Sequence, residues 1–251
     1  TVADREGARV CLGPVQSLIT SQDVAGLCLV PGTRRVAFVH GDVQAGGMLD
    51  LDAPAQRMSL RGAMAASTVS ASPNGQWLAT GTWHSQDVVI WEAATGAIVT
   101  NLPVGTSATT LFSPDGRWLV TASGGQFTQW ETRAWQARHR YAAEPGAGVM
   151  AFSPDARLLA IRQSDAEVLL LSPERGLEVA RLPGELPWPL CFSPDGTRLA
   201  VVEDERRVRL WDLRRLRQEL AALQLDWDLP PYPPAPEAGP ATPLRIEVVP
   251  E

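Results

Sequence analysis

Apolar residues along this chain fall in short runs of strand length, and the clearest runs come in pairs around a polar turn. Residues 109–112, 149–152 and 190–192 each precede such a turn. They are answered by Trp118, Leu119 and Val120, by Leu158, Leu159 and Ala160, and by Leu199, Ala200 and Val201. Trp77, Leu78 and Ala79 hold the same place after an earlier turn. Two apolar runs around a tight turn predict a β-hairpin. The turn is nearly constant: ASPNG at 71–75, FSPDG at 112–116, FSPDA at 152–156 and FSPDG at 192–196, with a weaker VPGT from Val30. Pro73, Pro114, Pro154 and Pro194 preset φ at its second position. Asn74, Asp115, Asp155 and Asp195 accept a local backbone hydrogen bond at the third, and Gly75, Gly116 and Gly196 supply a φ above zero.

The turn prolines, with Pro31, are spaced 42, 41, 40 and 40 residues apart, and a fixed period near 40 means a repeat architecture. Each unit continues through a polar loop into a third strand-like run, at 88–91, 127–130, 168–171 and 208–211. A fourth follows in most units, as at 98–102 and 177–182. Four short strands in about 40 residues is the make-up of a β-propeller blade. One such sheet cannot bury both faces, so neighbouring blades must stack on it.

The third runs end Trp91-Glu92, Trp130-Glu131 and Trp211-Asp212, and RRVRLWD at 206–212 resembles a WD40 blade. The resemblance spans roughly residues 20–213 and makes Trp91, Trp130 and Trp211 structural strand-end residues. Leu51 and Leu171 are read at the tryptophan position of their units, no Gly-His pair opens a repeat, and only Asp165 and Glu205 approximate the acidic residue before the tryptophan. The family's hydrogen-bonded tetrad is therefore incomplete. An all-β, WD40-like propeller is expected, with five complete blades at 21–61, 62–104, 105–143, 144–183 and 184–217. Part of a sixth is expected in 1–20, where 9–12 and 17–20 resemble its last two strands. Propellers of this family usually have seven blades, so the chain reads as a fragment of a seven-bladed ring. The rival is a closed six-bladed ring, which needs two strands from the C-terminal segment, where only 244–249 reads as one.

After Trp211 the period changes. Leu213, Leu216, Leu220 and Leu223 fall at helical spacing behind a capping Asp212, predicting a helix over 212–224. Prolines then make 225–251 an extended linker or tail. WDLRRLRQEL, LDWDLPPYPP and the closing PLRIEV together resemble the carboxy-terminal end of large bacterial multidomain WD40 proteins, several with an amino-terminal Ser/Thr kinase domain. That resemblance implies a regulatory parent chain with other domains.

Composition narrows the function classes. At 251 residues, 45% hydrophobic and 20% charged, the chain is sized for one propeller-like globular domain. No run approaches the ~18 apolar residues of a membrane span, and the N-terminus lacks a signal pattern. Net charge is −6 and all 22 basic residues are arginine. That balance argues against a nucleic-acid surface and is awkward for anionic lipid. Cys11, Cys28 and Cys191 lie in apolar runs and read as small buried hydrophobes in a reducing, cytoplasmic setting.

Catalytic constellations are wanting. Kinase chemistry needs a strand lysine, a phosphate loop and metal-binding acids in recognisable strings, and this chain has no lysine. His40, His84 and His139 lie in three different units with no zinc-like spacing. Ser72, Ser113, Ser153 and Ser193 recur with the turn, as do its aspartates. Chemistry is needed once, whereas geometry is needed in every blade. No catalytic, metal or cofactor residues are therefore assigned. The candidates that remain are for partner binding at a rim: Trp83, His84 and Asp87 in one loop, Trp188 within LPWPL, and Arg206 and Arg207 in the arginine-rich stretch. The expectation is a non-catalytic scaffold for a protein or peptide partner. The alternative is a propeller enzyme or small-ligand sensor using the central channel, and a third reading is a structural spacer.

Overall fold

The computed structural model describes residues 2–3, 9–10, 24–40, 46–53, 55, 57–60, 66–82, 87–105, 107–146, 148–204 and 207–232. Four sheets of four strands and one of three follow one another along the chain, each antiparallel and in sequence order. The first blade is Val24–Val30, Arg35–His40, Gly46–Asp50 and Arg57–Ser59. The second is Ala66–Ala71, Trp77–Thr82, Asp87–Glu92 and Ile98–Pro103. The third is Thr109–Phe112, Trp118–Ser123, Gln126–Glu131 and Gln136–Ala142. The fourth is Met150–Phe152, Leu159–Arg162, Glu167–Ser172 and Leu177–Pro183. The fifth has Trp188–Phe192, Arg198–Glu203 and Arg207–Asp212, and in place of a fourth strand the chain enters the helix Leu213–Ala222.

Strand alternation explains the packing. In the second, third and fourth blades the second and third strands are largely buried because each sheet is sandwiched between neighbours, whereas the third strand of the fifth blade is exposed. Val88 and Ile90 on the second blade meet Ala108, Phe112 and Leu119 on the third. Val168 and Leu170 on the fourth meet Phe192, Leu199 and Val201 on the fifth. First strands are linked across blades by side chains: the Ser70 and Thr110 hydroxyls lie 2.8 Å apart, and Thr109 Oγ1 donates to Gly148 O at 2.8 Å.

The repeated phrase closes the same way each time. The serine carbonyl accepts from the N–H three positions on, that of Gly75, Gly116, Ala156 or Gly196, at 2.8–2.9 Å. The serine hydroxyl donates to the Asn or Asp two residues on: Ser72 to Asn74, Ser113 to Asp115, Ser153 to Asp155 and Ser193 to Asp195. It also accepts the N–H that opens the second strand, at Trp77, Trp118, Leu158 and Arg198. All four of these turn positions have φ between 57 and 71°. Ala156 therefore holds, without glycine's freedom, the left-handed conformation the turn demands.

Register corrects one assignment. Leu78, Leu119, Leu159 and Leu199 pair with Trp91, Trp130, Leu171 and Trp211, and the equivalent Val36 pairs with Leu49. Leu49, not Leu51, thus stands at the tryptophan register of the first blade. Leu51 lies two residues on, where its N–H donates to Arg34 O just as that of Ala93 does to Gln76 O. Spacing from the turn proline agrees with the register, since Leu49 follows Pro31 at the same interval as Trp91 follows Pro73. Trp91 and Trp130 donate their indole N–H to Thr80 and Thr121 at 3.0 and 2.9 Å, the part of the tetrad these blades retain.

At the N-terminus Val2–Ala3 pairs with Arg9–Val10. The strand expected at 17–20, the one at 244–249 and Cys11 lie outside the described residues. Cys28 is half-buried, which pushes its thiol up to about 11. Cys191 is exposed, contrary to its apolar context, on a first strand that bulges between Pro189 and Cys191. Asp212 caps the helix, accepting from the N–H of Arg215 at 3.0 Å.

Candidate functional site

The strand order gives the molecule two rims. Loops between second and third strands, and those leading into first strands, make one; the proline turns and the turns joining third to fourth strands make the other.

The loop rim carries the residues singled out in the sequence. Trp188 opens the first strand of the fifth blade, is 43% exposed, and has the Arg162 guanidinium of the fourth blade 5.5 Å from its ring centre. It is therefore neither sealed between blades nor isolated. Arg207 pairs with Glu185 at 3.1 Å on the same blade, and Asp87 opens the third strand of the second blade, far along the rim. Trp83, His84 and Arg206 lie outside the described residues. The rest of the arginine-rich stretch does not converge. Arg209 faces Glu203, Arg215 faces Glu219 and Arg217 faces Asp226, at 3.1, 2.9 and 2.9 Å. A pocket of about 290 Å³ on this rim is lined by Gly124, Gly125 and hydroxyl side chains including Thr68 and Thr109, which donate to Ala108 O and Gly148 O.

The turn rim carries a surface that sequence reasoning passed over. Trp77 and Trp118 open the second strands of the second and third blades, two residues past Gly75 and Gly116. Trp135 lies in the turn that joins the third and fourth strands of the third blade. The three line a groove of about 870 Å³ between the two blades, with Asn74, Asp115, Arg117 and Arg133 at its margins. Trp77 and Trp135 meet edge to face, ring centres 5.9 Å apart at 79°. Arg117 lies 5.4 Å over Trp118 and reaches Glu174 of the fourth blade at 2.7 Å.

Trp135 is the unusual member. Its N–H donates to Glu131 O at 2.7 Å, as Gly96 does to Glu92 O and Gly176 to Ser172 O in the neighbouring blades. Glycine takes φ of 70 and 67° at those two positions, and Trp135 takes 54°. A bulky side chain in the left-handed region is a backbone outlier, and such strain gathers where a surface is used. The signal was present in the sequence as WETRAW against WEAATG and LSPERG, visible only once the units are aligned by strand end.

The equivalent groove between the fourth and fifth blades is filled. With no fourth strand in the fifth blade, the helix and the chain after it take that place. Arg217, buried, pairs with both oxygens of Asp226 at 2.9 and 3.0 Å and donates to the carbonyls of Trp227, Leu229 and Pro230. Its guanidinium also lies 5.4 Å over Trp227 and 5.6 Å over Tyr232. Leu229 and Tyr232 join the core cluster of these blades, leaving about 90 Å³ beside Pro230 and Pro231.

Among the described residues, no group of three or more His, Cys, Asp or Glu side chains is placed to hold a metal ion, and no helix is long and apolar enough to cross a membrane.

Residues 56–92, 99–131 and 190–212 match the family described as WD domain, G-beta repeat. The match is confined to these three segments, under half of the chain. The first two run from the fourth strand of one blade through the third strand of the next, so each repeat laces two blades together. The fourth blade, with Leu171 at the tryptophan register, lies outside the matched segments. A 79-residue stretch is 37% identical to apoptotic protease-activating factor 1 of Danio rerio, covering 30% of this chain and 6% of that protein. The chain thus corresponds to a small part of that relative's length. Among solved structures, Kuenenia stuttgartiensis hydrazine synthase superposes with a TM-score of 0.62 at 18% identity, over 76% of this chain and 59% of that one. That likeness concerns the fold alone, a propeller.

Proposed function

We propose that this chain is a non-catalytic WD40 scaffold whose rims hold protein or peptide partners. The observation that carries this reading is the turn-rim groove, where strain is tolerated at Trp135 to hold a third indole beside Trp77 and Trp118. Aromatic and arginine side chains in a recess are the groups that dominate binding energy at interfaces. Rim turns on a stacked-sheet support are a suitable platform, because the blades fix the loops in space. On the loop rim, Trp188 with Arg207 is a second candidate contact, and Trp83, His84, Asp87 and Arg206 belong to the same proposal.

The chain also reads as part of a larger ring within a bacterial multidomain regulatory protein, with a Ser/Thr kinase as one form of that parent. Two observations support the larger ring. Leu29 on the first blade is 65% exposed, although its equivalents Phe112 and Phe192 are 6% and 8% exposed against a preceding blade. Val208 and Leu210 on the fifth are 61% and 62% exposed, whereas Val168 and Leu170 are fully covered by a following blade. The kinase context rests on the resemblance of the tail. A cytoplasmic location accords with the unpaired thiols of Cys28 and Cys191.

The test is affinity capture by the tagged chain, with rim and turn variants in parallel. Partners recovered by the wild type and by Asp115→Asn, but not by Trp188→Ala or Trp135→Gly, are the expected outcome. Recovery indifferent to every rim variant would remove the rim model.

A further inference from the structure

We infer that the open groove between the second and third blades is a docking site for an extended, proline-rich peptide segment of a partner, carrying an aromatic residue and an acidic one. The inference deepens the scaffold reading and rests on it.

The molecule shows within itself what such a groove accepts. The matching recess between the fourth and fifth blades is occupied by Leu229, Pro230, Pro231 and Tyr232, laid over Leu158 and beside Asp155 and Asp195 of the proline turns. Main-chain carbonyls of that segment are gripped by an arginine, and its tyrosine stacks on the same guanidinium. Proline suits this because the extended helix it favours is already ordered before binding and leaves its carbonyls outward.

The second–third groove is open, about 870 Å³, and its aromatic and arginine side chains come from the blades themselves, whereas in the filled recess, where about 90 Å³ is left, they come from the helix and the inserted segment. Trp77 and Trp135, half-buried, offer apolar faces against which proline rings pack, the usual way in which extended proline-rich segments are recognised, while Trp118 forms the buried floor beneath Arg117. Arg133, exposed at its edge, forms no ion pair among the described residues, whereas Arg117 opposite is held by Glu174. An acidic residue in the ligand would meet Arg133. The neighbouring blades use glycine where Trp135 stands, so the turn closes without the indole. The indole packs on Trp77 and against the core shared by these blades and presents its remaining face to the groove, so Trp135→Gly removes that face while keeping a residue suited to the turn.

The probe is a synthetic capped peptide, DLPPYPPAPE, the sequence of residues 228–237, titrated into the intact 251-residue chain by calorimetry. Saturable one-to-one binding is expected, weakened at least tenfold by Trp135→Gly and at least threefold by Arg133→Glu, with Trp188→Ala unchanged. Thermal melts show whether each variant is folded, and Arg133→Glu alters an exposed side chain only. No saturable binding by the intact chain would overturn the inference, as would loss with Trp188→Ala but not Trp135→Gly. Binding that appears only after Pro233, Pro234 and Pro236 are changed to serine would assign the groove to the chain's own tail instead of a partner. Failure of the peptide with partner capture through Trp188 intact would remove this inference and leave the scaffold reading in place.

Discussion

Within the four serine-bearing proline turns, the serine hydroxyl bridges an Asp carboxylate, or the Asn74 carboxamide, and the first N–H of the next strand, so its removal acts on both. In Ser113→Ala the buried N–H of Trp118 loses its acceptor, and a stability loss of about 1–3 kcal/mol is expected in urea titration. The turn glycines are unequal. A Cβ at Gly75 would sit 2.3 Å from the carbonyl oxygen of Pro31, while at Gly196 the nearest atom is 3.7 Å away. Gly196→Ala should cost about 1–2 kcal/mol, the left-handed penalty alone. Gly75→Ala should cost clearly more, because backbone of the first blade must move; equal losses would refute the close approach. At Asp195, hydrogen bonds from Ser193 and then Thr197 hold the carboxyl down at about 2. A folded pKa below the unfolded one adds stability that is complete above about pH 4 and fades as pH falls through about 2. Because the side chain is about half exposed, the effect is modest. Asp195→Asn should flatten the fall in melting temperature between those two pH values and leave neutral pH less stable.

Among the elements, the helix Leu213–Ala222 and the segment after it do the work of a missing fourth strand. Arg217 joins them: it is the only donor recorded for the carbonyls of Leu229 and Pro230 among the described residues. Arg217→Ala should cost about 2–3 kcal/mol, the scale of charge-assisted hydrogen bonds. Amide exchange at 226–232 should rise well before that of the strands, and equal protection would show the tail to be held by Leu229 and Tyr232 packing instead. The strand elements were legible because apolar runs of four to six residues beside Pro-Asp-Gly turns have few other readings. The helix was legible from leucine spacing. The docking of the proline tail was not, because local composition describes an extended chain and says nothing of which surface it meets.

For the whole molecule, stacking leaves two apolar faces that no described blade covers, at Leu29 and at Val208 with Leu210. Each is the complement of the other, since interior blades pair those same positions. Head-to-tail contact between copies follows from that complementarity. Sedimentation equilibrium of this 251-residue chain should show concentration-dependent association, abolished by Leu29→Glu with Leu210→Glu and without loss of the cooperative melt. A monomer at all concentrations would mean that residues outside the described set shield these faces.

The sequence alone determined the repeat, the turn chemistry and the strand order within a blade. All of these depend on residues near one another in the chain. Tertiary structure decided what depends on neighbours some 40 residues apart. It gathered Trp77, Trp118 and Trp135, which three separate turns contribute, into one groove. It also laid the Leu229–Tyr232 stretch into a matching recess, since only stacked blades create a place for it.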